Sequence, residues 1–367
     1  MKVVEFPVME VTSLLNDWYL NIKFQNVDEA NRLKEEIDNN KEIIERDQTH
    51  MIYYMLLDFR HKLLLRQYDQ AAFDLTKIET KKDQMDGLLT YYYLFFKGNY
   101  EYSIEQYEKA IESYQLAEQA LENVPDDIEH AEFHYKVASA YYQVYFATLA
   151  EIHAEKAFEI LQKYEHYIKR FTDCHVLLAM IYADLGKYGQ ALSKLQEALM
   201  YAKKINAKSL ISGIIRNLGW LYSKAGQSEM AIEYLETSLQ NVNRLDDYLK
   251  TLYLLAKEYF KIGEFKKGFD KLTMGKQIAE KNSEKVLLYR FKILEAFNVK
   301  QEEIEFILPE AINYFKRFEL WEYVEGYSLD LAEYYGEKGN HQKASEWLLN
   351  VARTSKLFAT KSIREVI

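Results

Sequence analysis

The chain is predicted to be all-α, with an N-terminal three-helix bundle joined by a linker to a right-handed superhelix of helix-pair repeats. Three observations carry that prediction. A small residue, a tyrosine three positions on and an alanine nine further recur at Ala138/Tyr141/Ala150, Ala179/Tyr182/Ala191 and Gly219/Tyr222/Ala231. Only 3 prolines and 13 glycines interrupt 367 residues, which favours long helices. Apolar side chains return every three or four positions, the period of a helix with one buried face.

From the amino terminus, Val8, Val11, Leu15, Trp18 and Ile22 form the apolar stripe of a first helix. Asn26 with Glu29 has the spacing of a capping box, which predicts a second helix whose inner residues are Ala30, Leu33, Ile37 and Ile44. Asp47 can cap a third helix carrying Ile52, Met55, Leu56, Phe59 and Leu63 inward. The bundle is therefore placed at residues 1–66. Residues 67–92, polar and lysine-rich up to Asp86, are expected to be a linker region. The repeat domain is assigned to residues 93–367.

Within that domain, Gly98, Ala138, Ala179, Gly219, Ala256 and Ala332 are each followed twelve residues later by Ala110, Ala150, Ala191, Ala231, Gly268 or Ala344. This is the tetratricopeptide pattern, in which small residues let paired helices approach while a tyrosine fills the space beside them. Tyr141, Tyr182, Tyr222, Tyr259 and Tyr335 hold that tyrosine position. A degenerate unit near Leu287–Lys316 brings the expected count to about seven, with a period from the high thirties to about forty, longer than the usual ~34. The polar stretch from Thr354 to Ile367 is expected to be a frayed cap.

Composition narrows the function. A net charge of -10 without long basic runs argues against nucleic acid. The amino-terminal MKVVEFPVMEV is broken by Glu5, Pro7 and Glu10 before an apolar core forms, so no signal peptide is expected there, and no window is apolar enough to span a membrane. A single cysteine, Cys174, fits a reducing compartment, and a cytoplasmic location is expected.

Enzyme signatures are scarce: there is no phosphate-binding glycine loop, no nucleophile elbow and no cysteine pair for zinc. His130 and His134 stand four apart on a helix, a spacing that can hold a metal, yet no third ligand is evident, and two ordinary histidines are the alternative. No metal site is assigned. The first helix of each repeat lines the concave face, where Asp184, Arg216, Asn217 and Trp220 fall. An Asn amide matches a peptide main chain and a carboxylate can accept from it; alternatively Asp184 closes the turn before Gly186 and Asn217 bonds a neighbouring helix. Gln48, alone at a helix start, would ordinarily be a solvated surface residue.

Five stretches then change the odds: NDWY at 16–19, ERDQ at 45–48, IYY at 52–54 leading to FRH at 59–61, GLLTYYYLFFKGNYE at 87–101 and DDIEHAEFHYKVASAYY at 126–142. Along nearly its whole length the chain resembles the Rap family of response regulator aspartate phosphatases and peptide-controlled regulators of spore-forming bacteria. The resemblance implies a protein that binds a phosphorylated response regulator and removes its aspartyl phosphate. By match to the ERDQ motif, Gln48 would enter the receiver's active site and orient the attacking water. Asp47, Met51, Phe59, Leu88 and Asp126 match positions expected to touch the receiver. Asp184 and Asn217 match the pair that grips a short re-imported signalling peptide of about five residues, with Arg216 and Trp220 beside them.

The implied protein carries no cofactor of its own, since the receiver brings its magnesium. Peptide binding would compact the repeats and draw the bundle onto them, dismantling the receiver surface. Arg46 departs from the acidic residue common in the motif, and the connection before GLLTYYY is shorter than in the family's phosphatases; both bear on partner choice. Some members instead sequester the DNA-binding domain of a response regulator, which stands as the alternative function.

Overall fold

The computed structural model describes residues 8–122, 124–240, 242 and 244–364, with side chains from residue 11 to residue 355. The described residues form nineteen α-helices and three short 3-10 turns, with no strand. They divide into two compact units, Met1–Ala207 and Lys208–Ile367. The all-α helix-pair architecture expected from the sequence is present. Val8's side chain and the tail beyond Ser355 lie outside the described side chains.

The first unit begins with α1 (Val8–Lys23), α2 (Val27–Asn39), a single turn α3 (Lys41–Ile44) and α4 (Gln48–Leu64). Leu15, Trp18, Ile22, Ala30, Leu33, Ile37, Ile44 and Ile52 are buried together in the first part of the unit, as the spacing predicts. The second predicted helix is in fact broken at Asn40, so Ile44 belongs to α3. No capping box forms at Asn26: its side chain makes no cap bond and donates to Asn21 (3.1 Å), while Glu29 pairs with Arg32. Asp47 does cap α4, accepting from the His50 amide at 2.8 Å.

Residues 67–92, expected to be a linker region, contain helix α5 (Tyr68–Glu79), which buries Ala71 and Ile78 and packs against α4, and the start of α6 (Gly87–Ser103), against which α5 also packs. The local reason lies in one turn. Leu65 donates to His61, Arg66 takes φ +59° and Gln67 donates back to the Lys62 carbonyl. This six-to-one bond across a left-handed residue is the Schellman ending of a helix. Left-handed residues end helices at positions 25, 66, 105, 145, 186, 206, 226, 263, 283, 319 and 339, glycine serving at 186, 226, 263 and 339. The bundle thus uses the same turn as the repeats, and α4/α5 is built as one more helix pair.

The unit continues with α7 (Tyr107–Leu121), α8 (Asp127–Gln143), α9 (Ala147–Leu161), α10 (Ile168–Asp184) and α11 (Tyr188–Lys204), paired α6/α7, α8/α9 and α10/α11. The second unit pairs α12 (Lys208–Lys224) with α13 (Ser228–Leu239), α14 (Leu245–Lys261) with α15 (Phe265–Lys281), and α18 (Trp321–Glu337) with α19 (His341–Arg364). Between them lie α16 (Lys285–Asn298) and α17 (Ile304–Arg317), the degenerate unit. Seven pairs from α6 onward match the expected count.

The small positions are buried because the partner helix lies on them. A Cβ on Gly98 would sit 2.5 Å from the Tyr114 ring, and one on Gly219 2.6 Å from Leu235. The repeat tyrosines bind the preceding pair through their hydroxyls: Tyr182 donates to Glu155 (2.8 Å) and Tyr259 to Glu236 (3.0 Å). An apolar body with a satisfied polar tip suits a gap that opens to water at one end.

Candidate functional site

Gln48 is the first residue of α4 and is exposed. Among the described residues its carboxamide makes no hydrogen bond, so both its donor and its acceptor face outward. The backbone beneath it is held firmly. Asp47 caps the helix and also lies 3.3 Å from His50 Nδ1, while His50 Nε2 meets the Thr12 hydroxyl at 2.8 Å. That ties the tip of α4 to α1. Met51, one turn further, shares the face of Gln48 and is half-buried.

The remaining residues expected to meet a receiver are placed differently. Leu88, on the first turn of α6, is 40% exposed. Phe59 is only 1% exposed and packs against Tyr100 with ring centroids 6.0 Å apart. It cannot touch a partner in this conformation. Twelve residues ahead of the buried Ala71, Phe59 occupies in α4/α5 the position that Gly98 and Ala138 hold in later pairs, and it is buried for the same reason. Asp126 caps α8, accepting from Ile128 (2.9 Å), and is bridged by Lys23 at 3.0 Å.

Lys23 belongs to a buried polar junction that sequence reasoning missed. It also pairs with Glu129 at 3.2 Å, and Glu129 accepts from the Tyr19 hydroxyl at 2.7 Å and the Tyr91 hydroxyl at 3.2 Å. Glu129 is fully buried, with its carboxyl pushed up by desolvation against the pull of Lys23. Burial works to lower the Lys23 ammonium, yet Glu129 and Asp126 more than offset it and leave it raised. Phe24 stacks near Tyr167 (4.8 Å) and Lys169 donates to Gln25 (3.0 Å), so α1 is fastened across α8 and α10. The available signal was Glu129 and Glu132 on the inner face of α8; Glu132 holds Arg170 at 2.5 Å.

On the repeat residues, Asp184 ends α10 and is exposed. In the second unit Arg216, Asn217 and Trp220 lie together on α12, all half-buried. Arg216 is ion-paired with Asp247, and its other terminal nitrogen lies 3.5 Å from the side-chain Oδ1 of Asn217. The Lys224 ammonium sits 5.3 Å from the Trp220 ring. α12 therefore carries a guanidinium, an amide and an indole close together.

His130 and His134, whose spacing of four could have held a metal, do not meet. His130 bonds the Val124 carbonyl at 2.8 Å, whereas His134 faces His153 on α9, Nδ1 to Nδ1 at 3.0 Å.

Residues 5–66 match the family described as response regulator aspartate phosphatase H, N terminal, and residues 171–244 match a tetratricopeptide repeat. Response regulator aspartate phosphatase A of Bacillus subtilis (strain 168) is 31% identical over 349 residues, covering 92% of each chain. Regulatory protein RapF of the same organism is 29% identical, covering 94% of this chain and 93% of its own. The crystal structure of a Rap protein complexed with Competence and Sporulation Factor superposes with a TM-score of 0.84 at 27% identity, covering 97% of this chain and all of the other.

Proposed function

The chain belongs to the Rap family of response regulator aspartate phosphatases, and we propose that it binds a phosphorylated response regulator and hydrolyses its aspartyl phosphate through Gln48, under inhibition by a short re-imported peptide. The observation that carries this is the uncommitted Gln48 carboxamide on a capped, braced helix start. Its amide can donate to a phosphoryl oxygen while its carbonyl accepts from water, which aligns that water for in-line attack. The receiver would supply the magnesium and the acyl phosphate, so this chain needs only to orient.

The junction supports the regulatory half. With Lys23 on Asp126 and Phe59 buried, two of the residues matched to receiver contact are occupied within the protein. We read this as the compact arrangement that a bound peptide favours. Asp184 and the α12 set Arg216, Asn217 and Trp220 are the groups assigned to that peptide.

The test is phosphate loss from phosphorylated receiver domains. Gln48→Ala should lower the rate about a hundredfold, the order expected when a positioned water is lost, while pull-down of the receiver is retained. Equal rates in the two proteins would overturn the catalytic assignment. A second reading, sequestration of a response regulator's DNA-binding domain, is favoured by the similarity to a relative named only as a regulatory protein and by the net charge of -10, which complements a basic partner. It expects blocked DNA binding that survives Gln48→Ala, without faster dephosphorylation.

A further inference from the structure

Three helices of the first unit bring together side chains that the proposed function does not use. One ligand atom from each of Glu118 on α7, His134 on α8 and His153 on α9 lies within 4.8 Å of the others. The two imidazoles are 9% and 8% exposed and present the same nitrogen, Nδ1, to each other at 3.0 Å. Tyr141 stacks on His153 (5.7 Å between centroids) and Phe133 packs edge-on to His134 (5.4 Å), so neither ring is free to turn away.

Burial lowers both rings, His134 to about 3 with help from His153 and Lys156, and His153 to about 4 with help from Lys156. Two neutral rings meeting nitrogen to nitrogen share one bridging proton between two lone pairs. A tetrahedral cation with bonds of about 2.0–2.1 Å needs its nitrogens only a few tenths of an ångström further apart than these. The donor ring has to move its proton to Nε2, a tautomer change that releases no net proton.

We propose that Glu118, His134 and His153 form a binding site for a divalent transition cation of the zinc class, with water in the fourth position. Two imidazoles and a carboxylate, with no thiolate, match borderline cations such as zinc and cobalt(II). A bound ion would tie the α6/α7 pair to the α8/α9 pair, and α8 is the helix that receives α1. The site stands independently of the phosphatase reading.

The experiment is calorimetric titration of the chelator-treated full chain with zinc chloride, with cobalt(II) absorbance as the geometric readout. Wild type should take up one equivalent at sub-micromolar affinity, show the intense visible bands of tetrahedral cobalt and melt at a higher temperature when loaded. Glu118→Gln should weaken binding about tenfold or more and His153→Gln about a hundredfold, each with loss of the cobalt bands. If His153→Gln fails to fold by circular dichroism, Glu118→Gln decides alone. Absence of uptake, or unchanged affinity in Glu118→Gln, would overturn the site.

Discussion

Two regions of this molecule hold helices together by opposite means. Where α1 lies on α8, the contact is a buried ionic and phenolic cluster: Lys23, Glu129, Asp126, Tyr19 and Tyr91. Within residues 208–367 the contact of α15 with α16 closes by shape instead. Gly275 of α15 faces Phe291 of α16 so closely that a Cβ would be 2.1 Å from the ring. Around them Leu252, Ala256, Leu272 and Leu287 form one apolar cluster. An apolar close-packed contact has no stable separated state, since opening it exposes only hydrocarbon. A cluster of charged and phenolic groups is well solvated when apart, so its two states lie closer in energy. The contrast suits a hinge in one place and a spring in the other.

The largest expected effect tests whether the ionic cluster holds the junction. Glu129→Ala leaves the Lys23 ammonium buried beside Asp126 alone, and losing one partner of a buried pair costs about 3–5 kcal/mol. Hydrogen exchange should show α1 and the start of α8 losing protection while residues 208–367 keep theirs. Unchanged protection of α1 would mean that the aromatic contacts, Tyr19 on Phe96 and on Tyr92, carry the junction instead.

Gly275→Ala is the converse. Phe291 is fully buried and its ring has nowhere to retreat, so overpacking should cost about 1–3 kcal/mol, read as a lower denaturation midpoint. Protection should fall in α15 and α16 and remain unchanged in α1. Loss of protection at α1 would break the proposed separation of the two mechanisms.

These two residues also mark how far the sequence could be followed. Small residues at a fixed offset are visible in any register, so the repeats, and the burial of Ala138, Ala179 and Ala256, were legible. The α4/α5 pair was equally present, in Gln67-Tyr68-Asp69-Gln70-Ala71 echoing Gln106-Tyr107-Glu108-Lys109-Ala110. It was hidden because its small first-helix position is filled by Phe59. Of the candidate site, Asp47 and Gln48 could be located because a cap and a motif are local. Glu129 could not, because its partners stand 106 to 110 positions away in α1, and a buried acid on an otherwise amphipathic helix looks like a solvated one until its partners are known. His153 was hidden behind the more obvious His130 because it faces His134 from the next helix, 19 positions on.

Acid distinguishes the two regions more gently. His61, His134, His153 and His175 are all buried in the first unit, each lowered to about 3 or 4, first by burial. Their folded values lie below the unfolded value of about 6.5, so their contribution is present above pH 6.5 and is lost as pH falls towards 4. Glu129, raised by burial, acts in the opposite sense and reaches its full contribution only below about pH 4.3. Residues 208–367 contain one histidine, the exposed His341. Between pH 7 and 5 the first unit should lose stability relative to the second, seen as earlier melting of its tyrosine signals. Equal loss in both units would assign the acid response to general charge instead of to these rings.

The smallest expected effect is the sharpest control on the comparison. Arg32 on α2 makes the same kind of contact as Lys23, at shorter range: 2.7 Å to Glu29 and 2.9 Å to Glu36, against 3.2 Å from Lys23 to Glu129. The difference is burial, for Arg32 is 57% exposed in its side chain and Lys23 7%. In water the ions are already satisfied, two long side chains lose freedom to meet, and salt screens what remains. Removing one then leaves a solvated carboxylate, whereas at Glu129 it leaves a stranded ammonium. Arg32→Ala should therefore leave the melting temperature within experimental scatter at 0.15 M salt and leave exchange in α1 and α8 unaltered. A measurable loss would show that contact distance governs ion pairs throughout the first unit, and the distinction drawn for the α1–α8 junction would fail with it.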